Sequence, residues 1–365
     1  YKILDQLSST FPICFIKKDA HSCLLNSVAL DLVLSGLEKN SVISQFVERD
    51  NQNRPNGILK ESAFYFLYSI VPPLSMPEIK DCLLTAQDYF LNNGFTHIRD
   101  MTCSRAQWEV LKEIQNSKEL KINADINFHV ETVKQATEDI LPYLKIEKQT
   151  SHPNLIIKGI KIFYDGSLGS RTALLFENYK GTNSSGSALW NESDLYELMK
   201  MAWENNFEFS VHTLGDKAVD NVVEVARQLY SEKIRGYLNL EHVQLIHPNT
   251  ITKMKSLFVR CHMQPSHWLS DKSFLNECLS ETSKKHLFAW EALRRAKVPI
   301  SFGSDCPIEE SNVQLTYQAL MDSKNFGIDE FKGSFFEFYQ HPVDSQKAAS
   351  PVTYFQELVP IRTQN

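Results

Sequence analysis

Four residues in this chain have types and positions suited to chemistry: Lys161, His212, His242 and Asp305. Lys161 lies inside an apolar run, residues 155–164, between Ile160 and Ile162. Read as a strand, the run puts Lys161 on one face with Gly159, Phe163 and Asp165, because side chains alternate along a strand. A cation in a strand core is costly unless it is paired or chemically altered. The plain alternative is a lysine reaching a carboxylate at the strand end. The other three residues close strand-like runs. Phe207-Glu-Phe-Ser-Val-His212 sets Ser210 and His212 opposite the phenylalanines and Val211. Tyr237-Leu-Asn-Leu-Glu-His242 ends in an imidazole, and Pro299-Ile-Ser-Phe-Gly-Ser-Asp305 sets Ser301, Gly303 and Asp305 opposite Ile300 and Phe302. Imidazole and carboxylate suit a divalent cation, Zn²⁺ by default, with an open position for water; Mn²⁺, Fe²⁺ or Ni²⁺ fit the same donors. A single histidine at a strand end is an ordinary hydrogen-bonding residue. Several strands ending alike carry the functional reading.

To bring those ends together the chain needs a parallel sheet, and its pattern supplies one. Strand-like segments 95–100, 122–129, 155–164, 207–212, 237–242, 258–264 and 298–305 alternate with helical segments 104–117, 133–144, 192–205, 217–231, 248–256 and 284–296. Such alternation implies an α/β parallel sheet. Seven strands are one short of a (β/α)8 TIM barrel, whose strand C-termini converge on one mouth. No run before Phe95 reads as a barrel strand, so the first strand is expected upstream of Tyr1. In the lead-in, 11–16 reads as a strand, 26–37 as a helix and 50–56 as a polar turn with Pro55 and Gly57 as punctuation. Glu61 opens a helix, where a carboxylate favours the dipole. Segment 76–93 is an amphipathic helix stopped by Gly94. His21 and Asn26 stand at a helix entry, where they can line a site or cap the helix. The expected organisation is 1–93 as cap and lead-in helices, 94–325 as barrel strands 2 to 8, and 326–365 as a tail without periodicity.

Composition mostly excludes. With 42% hydrophobic and 22% charged residues, the chain is of ordinary globular type. A net charge of −6 argues against nucleic acid or an anionic membrane as partner. Seven scattered cysteines without a C-x-x-C pair fit reduced thiols in the cytoplasm. No apolar stretch is long enough to span a bilayer. A Gly-rich phosphate loop and a G-x-S-x-G elbow are both absent, which disfavours nucleotide binding and serine hydrolysis. His97, His129, His152, His247, His262, His286 and His341 have no comparable partners in the pattern.

The sequence resembles the amidohydrolase superfamily, specifically the amidohydrolase family 3 branch that includes N-substituted formamide deformylases. The resemblance runs in order through Asp19-Ala-His-Ser, Asn26-Ser-Val-Ala-Leu30, Gly57-Ile-Leu-Lys-Glu61 and Gly94-Phe-Thr-His-Ile-Arg-Asp100. It continues with Lys161-Ile-Phe-Tyr-Asp-Gly-Ser-Leu-Gly-Ser-Arg-Thr-Ala173 and Val211-His-Thr-Leu-Gly-Asp-Lys-Ala-Val-Asp220. Glu241-His-Val-Gln244, Gln264-Pro-Ser-His267 and Gly303-Ser-Asp-Cys-Pro-Ile-Glu309 complete it. It implies metal-dependent hydrolysis of a non-peptide carbon–nitrogen bond in a small-molecule amide, formamide or cyclic amide. By this resemblance His212 and His242 are metal ligands, and Lys161 is a metal-bridging lysine that CO₂ converts to a carbamate. Asp305 binds metal and takes the proton of the attacking water. His21, Arg171 and His267 are expected to line the pocket and touch substrate. A homodimer is compatible with this reading.

The departure is the first strand. The superfamily carries His-x-His there, and no His-x-His occurs in this sequence; the family's small β-sandwich is not recognisable either. The reading is therefore of a sequence truncated at its N-terminus. Counting ligands without the missing pair, the chain as given is expected to hold metal poorly and hydrolyse little. The rival from another class is a catalytically inactive barrel acting as a binding or scaffold protein. A metal-free phosphate-binding barrel would need anion-binding glycines after strands seven and eight, which the sequence lacks.

Overall fold

A computed structural model describes residues 2–18, 20–37, 41–333 and the backbone of 352–355. Tyr1, Asp19 of the Asp-Ala-His-Ser motif, His341 and the tail segments 334–351 and 356–365 lie outside the described residues.

Two sheets divide the work. The first is antiparallel: β1 (Cys14–Ile16), β2 (Ser22–Leu25), β3 (Val47–Arg49) and β4 (Pro55–Lys60), in the order β1-β2-β4-β3. It packs with the helix Ser27–Leu37 around Leu25, Val33, Leu37, Leu59 and Phe64. The sequence suggested helices and one strand here. Three strands went unseen because they are short and one begins at a proline. Pro55 occupies the first position of β4, where its missing N–H is tolerated. The polar turn expected over 50–56 is confined to 50–54, because Pro55 and Asn56 already belong to β4; within it the Asp50 carboxylate accepts from the N–H groups of Gln52 and Arg54. Asn26 is a cap: its Oδ1 accepts from Ala29 N–H at 3.0 Å.

The second sheet is parallel throughout. Its strands are β5 (His97–Cys103), β6 (Asn123–His129), β7 (Leu155–Phe163), β8 (Glu208–Thr213), β9 (Leu238–His242), β10 (Val259–Met263), β11 (Ile300–Phe302) and β12 (Val352–Phe355). The first seven are the seven expected from alternation. β12 comes from the segment left unassigned, and it pairs with β5 in the register Val352↔His97 to Phe355↔Asp100. That is the edge the reading left open for a first barrel strand. The sheet curls. Arg99 of β5 reaches Glu241 of β9, four strands away, with Nη2 3.2 Å from Oε1. Gly159 of β7 is needed for close strand approach, since a Cβ there would sit 1.9 Å from the Glu208 carbonyl oxygen. The core between sheet and helices is one large apolar cluster that includes Ile160, Phe209, Leu240, Phe302 and Trp203.

Several helices match their signals. Ser104 and Gln107 form a capping box before Arg105–Asn116. Gly94, at φ +84°, ends the helix Met76–Asn92 in the left-handed region. The helix expected over 284–296 is instead broken into Glu281–Lys284 and Trp290–Arg295, because Phe288 takes φ +45° between them. The helix His267–Cys278 was not foreseen, since its apolar residues form no clear stripe.

Candidate metal centre and its surroundings

At the C-terminal ends of the parallel strands the inner face turns to imidazole. His212 is the fifth residue of β8, His242 the last of β9, and Asp305 follows β11. His267 opens the helix after β10. His21 comes from the small sheet's side of the mouth. Four rings stand in a row: His21 to His212 at 4.9 Å between centroids, His212 to His242 at 4.6 Å, and His242 stacked on His267 at 5.9 Å.

Among the described residues, one group of side chains could hold a cation. Donor atoms of His242, His267 and Asp305, all buried, lie within 4.8 Å of one another. Asp305 Oδ2 is 3.9 Å from His242 Nδ1 and 3.8 Å from His267 Nε2. The hydrogen bonding fits a metal. His242 Nδ1 is 2.8 Å from Gln264 Oε1, which can only accept, so that nitrogen carries the proton and Nε2 is left as a free donor atom. His242 Nε2, His267 Nε2 and His212 Nδ1 are buried without hydrogen-bond partners. Buried polar atoms are normally satisfied, and metal binding is one reason for an exception. Burial, reinforced by neighbouring imidazoles, holds His212 and His242 well below the usual histidine range. His267 is lowered to about 4, by burial above all. The rings are therefore neutral near pH 7, as ligands must be.

The backbone is strained at the same place. His242 (φ +75°), Val243 (φ +46°) and Asp305 (φ +56°) occupy the left-handed region, which is unusual for any non-glycine and most of all for a β-branched residue. Such strain clusters where structure serves function. Asp165, at the end of the lysine strand, holds the mouth together by accepting from the N–H groups of Leu174, Leu214 and Gly215 at 2.9, 3.0 and 2.9 Å.

The structure thus brings His212, His242, His267, His21 and Asp305 to one cavity of about 190 Å³. Lys161 lies beneath it, 1% exposed, with Nζ 4.3 Å from the centre of the Phe163 ring. Burial lowers its amine to about 8 despite Glu241 and Asp305 nearby. Arg171 is exposed, and is not among the residues lining the cavity. Sequence reasoning put His267 on the substrate side; the structure places it beside His242 and Asp305, in the group whose donor atoms could hold a cation. It also missed Glu61 as a positioning group. That carboxylate is fully buried, 2.9 Å from His21 Nδ1 and hydrogen-bonded by Thr172. A carboxylate 40 residues from its histidine leaves no local signal.

A model of the amidohydrolase family matches residues 2–334, which is most of the chain. The chain belongs to the amidohydrolase family. Within it the resemblance is to the family 3 branch. A putative amidohydrolase, YtcJ, of Bacillus subtilis is 26% identical over 330 residues, covering 88% of this chain and 60% of YtcJ. The Arabidopsis thaliana protein LONG AFTER FAR-RED 3 is 26% identical over 327 residues, covering 85% of this chain and 55% of that protein. The chain thus spans a little over half the length of these relatives. Among solved structures, an uncharacterized metal-dependent hydrolase from Pyrococcus horikoshii has a TM-score of 0.67 at 22% identity, over 92% of this chain and 64% of that one. One from Pyrococcus furiosus has a TM-score of 0.65 at 24% identity, over 87% and 63%. These likenesses support the (β/α) barrel reading of the parallel sheet.

Proposed function

We propose that this amidohydrolase family member hydrolyses a non-peptide carbon–nitrogen bond, in an amide, formamide or cyclic amide, with a divalent cation held by His242, His267 and Asp305. The observation that supports it is the convergence of those three donors, with both imidazole Nε2 atoms buried and unpartnered. With His267 counted beside His242 and Asp305, the proposed site has the three protein ligands of a catalytic ion. Zinc as the ion, and a carbamate on Lys161, belong to the same proposal.

When bound, such a cation acidifies water and polarises a carbonyl. The chain's own groups do the rest. Asp305 faces both imidazoles and is placed to take a proton from a water between them. Gln264 fixes the orientation of His242. His21 is held by Glu61 and by the Tyr65 hydroxyl, 3.2 Å from Nδ1, and can hydrogen-bond a substrate oxygen. Burial of the donors keeps bulk water out.

The second reading, a binding barrel without hydrolysis, is favoured by the absence of His-x-His from the sequence. One experiment separates the two. The protein is loaded in turn with Zn²⁺, Mn²⁺, Ni²⁺ and Fe²⁺ and assayed for amine release from a panel of formamides, acetamides and cyclic amides. Ion-dependent hydrolysis, reduced about 100-fold or more in Asp305→Asn, is expected. Protein that holds the ion and releases no amine from any of them selects the binding barrel.

A further inference from the structure

The small sheet carries a pair of cysteines that the metal centre does not use. Across β1 and β2, Cys14 pairs with Leu25 and Cys23 with Ile16. The two cysteines are therefore diagonal neighbours, and alternation puts them on one face of the hairpin. That face is the inner one. Cys23 is 3% exposed, and the half-buried Cys14 packs against the same apolar cluster, while Phe15, on the opposite face of β1, is 56% exposed. The two thiols interact. A hydrogen bond from Cys23 holds the Cys14 thiol below its usual range; that bond and burial push the Cys23 thiol up. The other cysteines lie on elements outside this hairpin.

The hairpin reaches the site. Lys17, Lys18 and His21 come from the stretch between the two cysteines, and all three line the cavity at the candidate metal centre. Lys18 Nζ is 2.7 Å from Glu309, on the loop after β11. β1 is three residues long and lies at the edge of its sheet, paired with β2 alone. A disulfide needs Cα atoms within about 7 Å, and diagonal neighbours stand at about 7–8 Å. Closing the pair therefore asks for a small shift of a strand held on one side only. A bond made under such strain is readily reduced again.

We infer that Cys14 and Cys23 are a redox modification site: a low-molecular-weight disulfide such as oxidised glutathione converts them to an internal disulfide that clamps the hairpin carrying Lys17, Lys18 and His21. The chemistry is thiol–disulfide exchange in two steps. The half-buried Cys14, as thiolate, attacks one sulfur of the glutathione disulfide, forms a mixed disulfide and releases one glutathione thiolate, which takes up a proton. Cys23 then gives up its proton, attacks the Cys14 sulfur and displaces the second glutathione. Two protein thiols are oxidised, one glutathione disulfide is reduced to two thiols, and no other reactant is needed. A transient bond of this kind is the form disulfides take among otherwise reduced thiols. The inference is independent of the hydrolase reading.

The test equilibrates the whole protein in glutathione buffers from fully reduced to strongly oxidised, blocks free thiols with N-ethylmaleimide, and maps the peptides by mass spectrometry. Trypsin cleaves after Lys17 and Lys18, so the two cysteines fall in separate peptides unless a disulfide joins them. In oxidised buffer the wild type is expected to yield the joined Cys14 and Cys23 peptides, lost again on return to reduced buffer. Cys23→Ser should stop at glutathione on Cys14, and Cys14→Ser should leave Cys23 unmodified; the wild-type map alone decides if neither variant folds. Backbone hydrogen exchange across β1 and β2 should slow by about tenfold or more in the joined form. Four results overturn the inference: both cysteines alkylated in oxidised buffer, glutathione left on Cys14 of the wild type, either cysteine joined mainly to another, or a joined pair with exchange unchanged.

Discussion

The two ends of the barrel's inner face are built from the same kinds of residue and treat them in opposite ways. Toward the strand N-termini, each charge meets its counterpart. Glu208 accepts from Arg260 Nη1 at 3.0 Å and from Asn239 at 2.8 Å, and Lys158 lies 3.6 Å away. Asp125 faces His97 at 3.3 Å and Lys158 at 3.7 Å. Above them a chain of neutral hydrogen bonds crosses the interior. Ser210 donates to Asn127, Asn239 reaches Ser210, and His262 lies between Asn239 and Ser301. At the strand C-termini, His212, His242 and His267 each leave a buried nitrogen without a partner. An unsatisfied buried polar atom costs about 1–3 kcal/mol. The lower end is built for stability, and the mouth gives up stability for a site.

The largest expected effect breaks the lower end. Glu208→Gln removes the charge that compensates Arg260 and Lys158, and should cost about 3 kcal/mol in urea unfolding at pH 7. A loss below about 1 kcal/mol would mean the cluster is not structural. Its pH dependence sharpens the point. Burial pushes the Glu208 carboxyl up, but Lys158 and Arg260 outweigh it, so the net shift is downward from 4.5. A group with a lowered folded pKa stabilises above its unfolded value and loses that contribution as pH falls through the folded one. The gap between wild type and Glu208→Gln should therefore be full above pH 4.5 and close as pH falls further below it. A gap unchanged into strong acid would assign the loss to packing rather than charge.

At the mouth the opposite sign is expected, with a smaller size. With chelator present, His267→Leu removes the unpartnered Nε2, keeps apolar volume, and gives up only the long 3.3 Å contact of Nδ1 with Gln244 Nε2, which keeps its bond to Asp271. It should leave stability unchanged or raise it by up to about 1 kcal/mol. A loss of 2 kcal/mol or more, on the scale of about 1–3 kcal/mol for a broken buried hydrogen bond, would show that Nε2 of His267 is satisfied in solution and erase the contrast.

The fold was legible where the chain alternates. Lys161, His212, His242 and Asp305 stand out as a set, because one polar residue closing a strand is ordinary and several strands closing alike are not. The lead-in was not legible, because β2, β3 and β4 are short and carry turn-forming residues such as Pro55 and Gly57. His267 was seen as a site residue without its geometry, since it heads a helix with no apolar stripe. Three of the histidines set aside in the sequence do find partners: His97 meets Asp125, His262 meets Ser301, and His286 lies 3.4 Å from Asp216. Those contacts join strands or loops far apart in sequence, as does that of Glu61 with His21. A single sequence carries no mark of them.

The most direct measurement is zinc content after equilibrium dialysis, taken by mass spectrometry on wild type and on His242→Ala, His267→Ala and Asp305→Asn. The account predicts about one zinc per wild-type chain and a clear loss in each variant, since removing one of three protein ligands leaves a site too sparse to hold the ion. Zinc retained in full by His267→Ala and His242→Ala, or none bound by wild type, would contradict it.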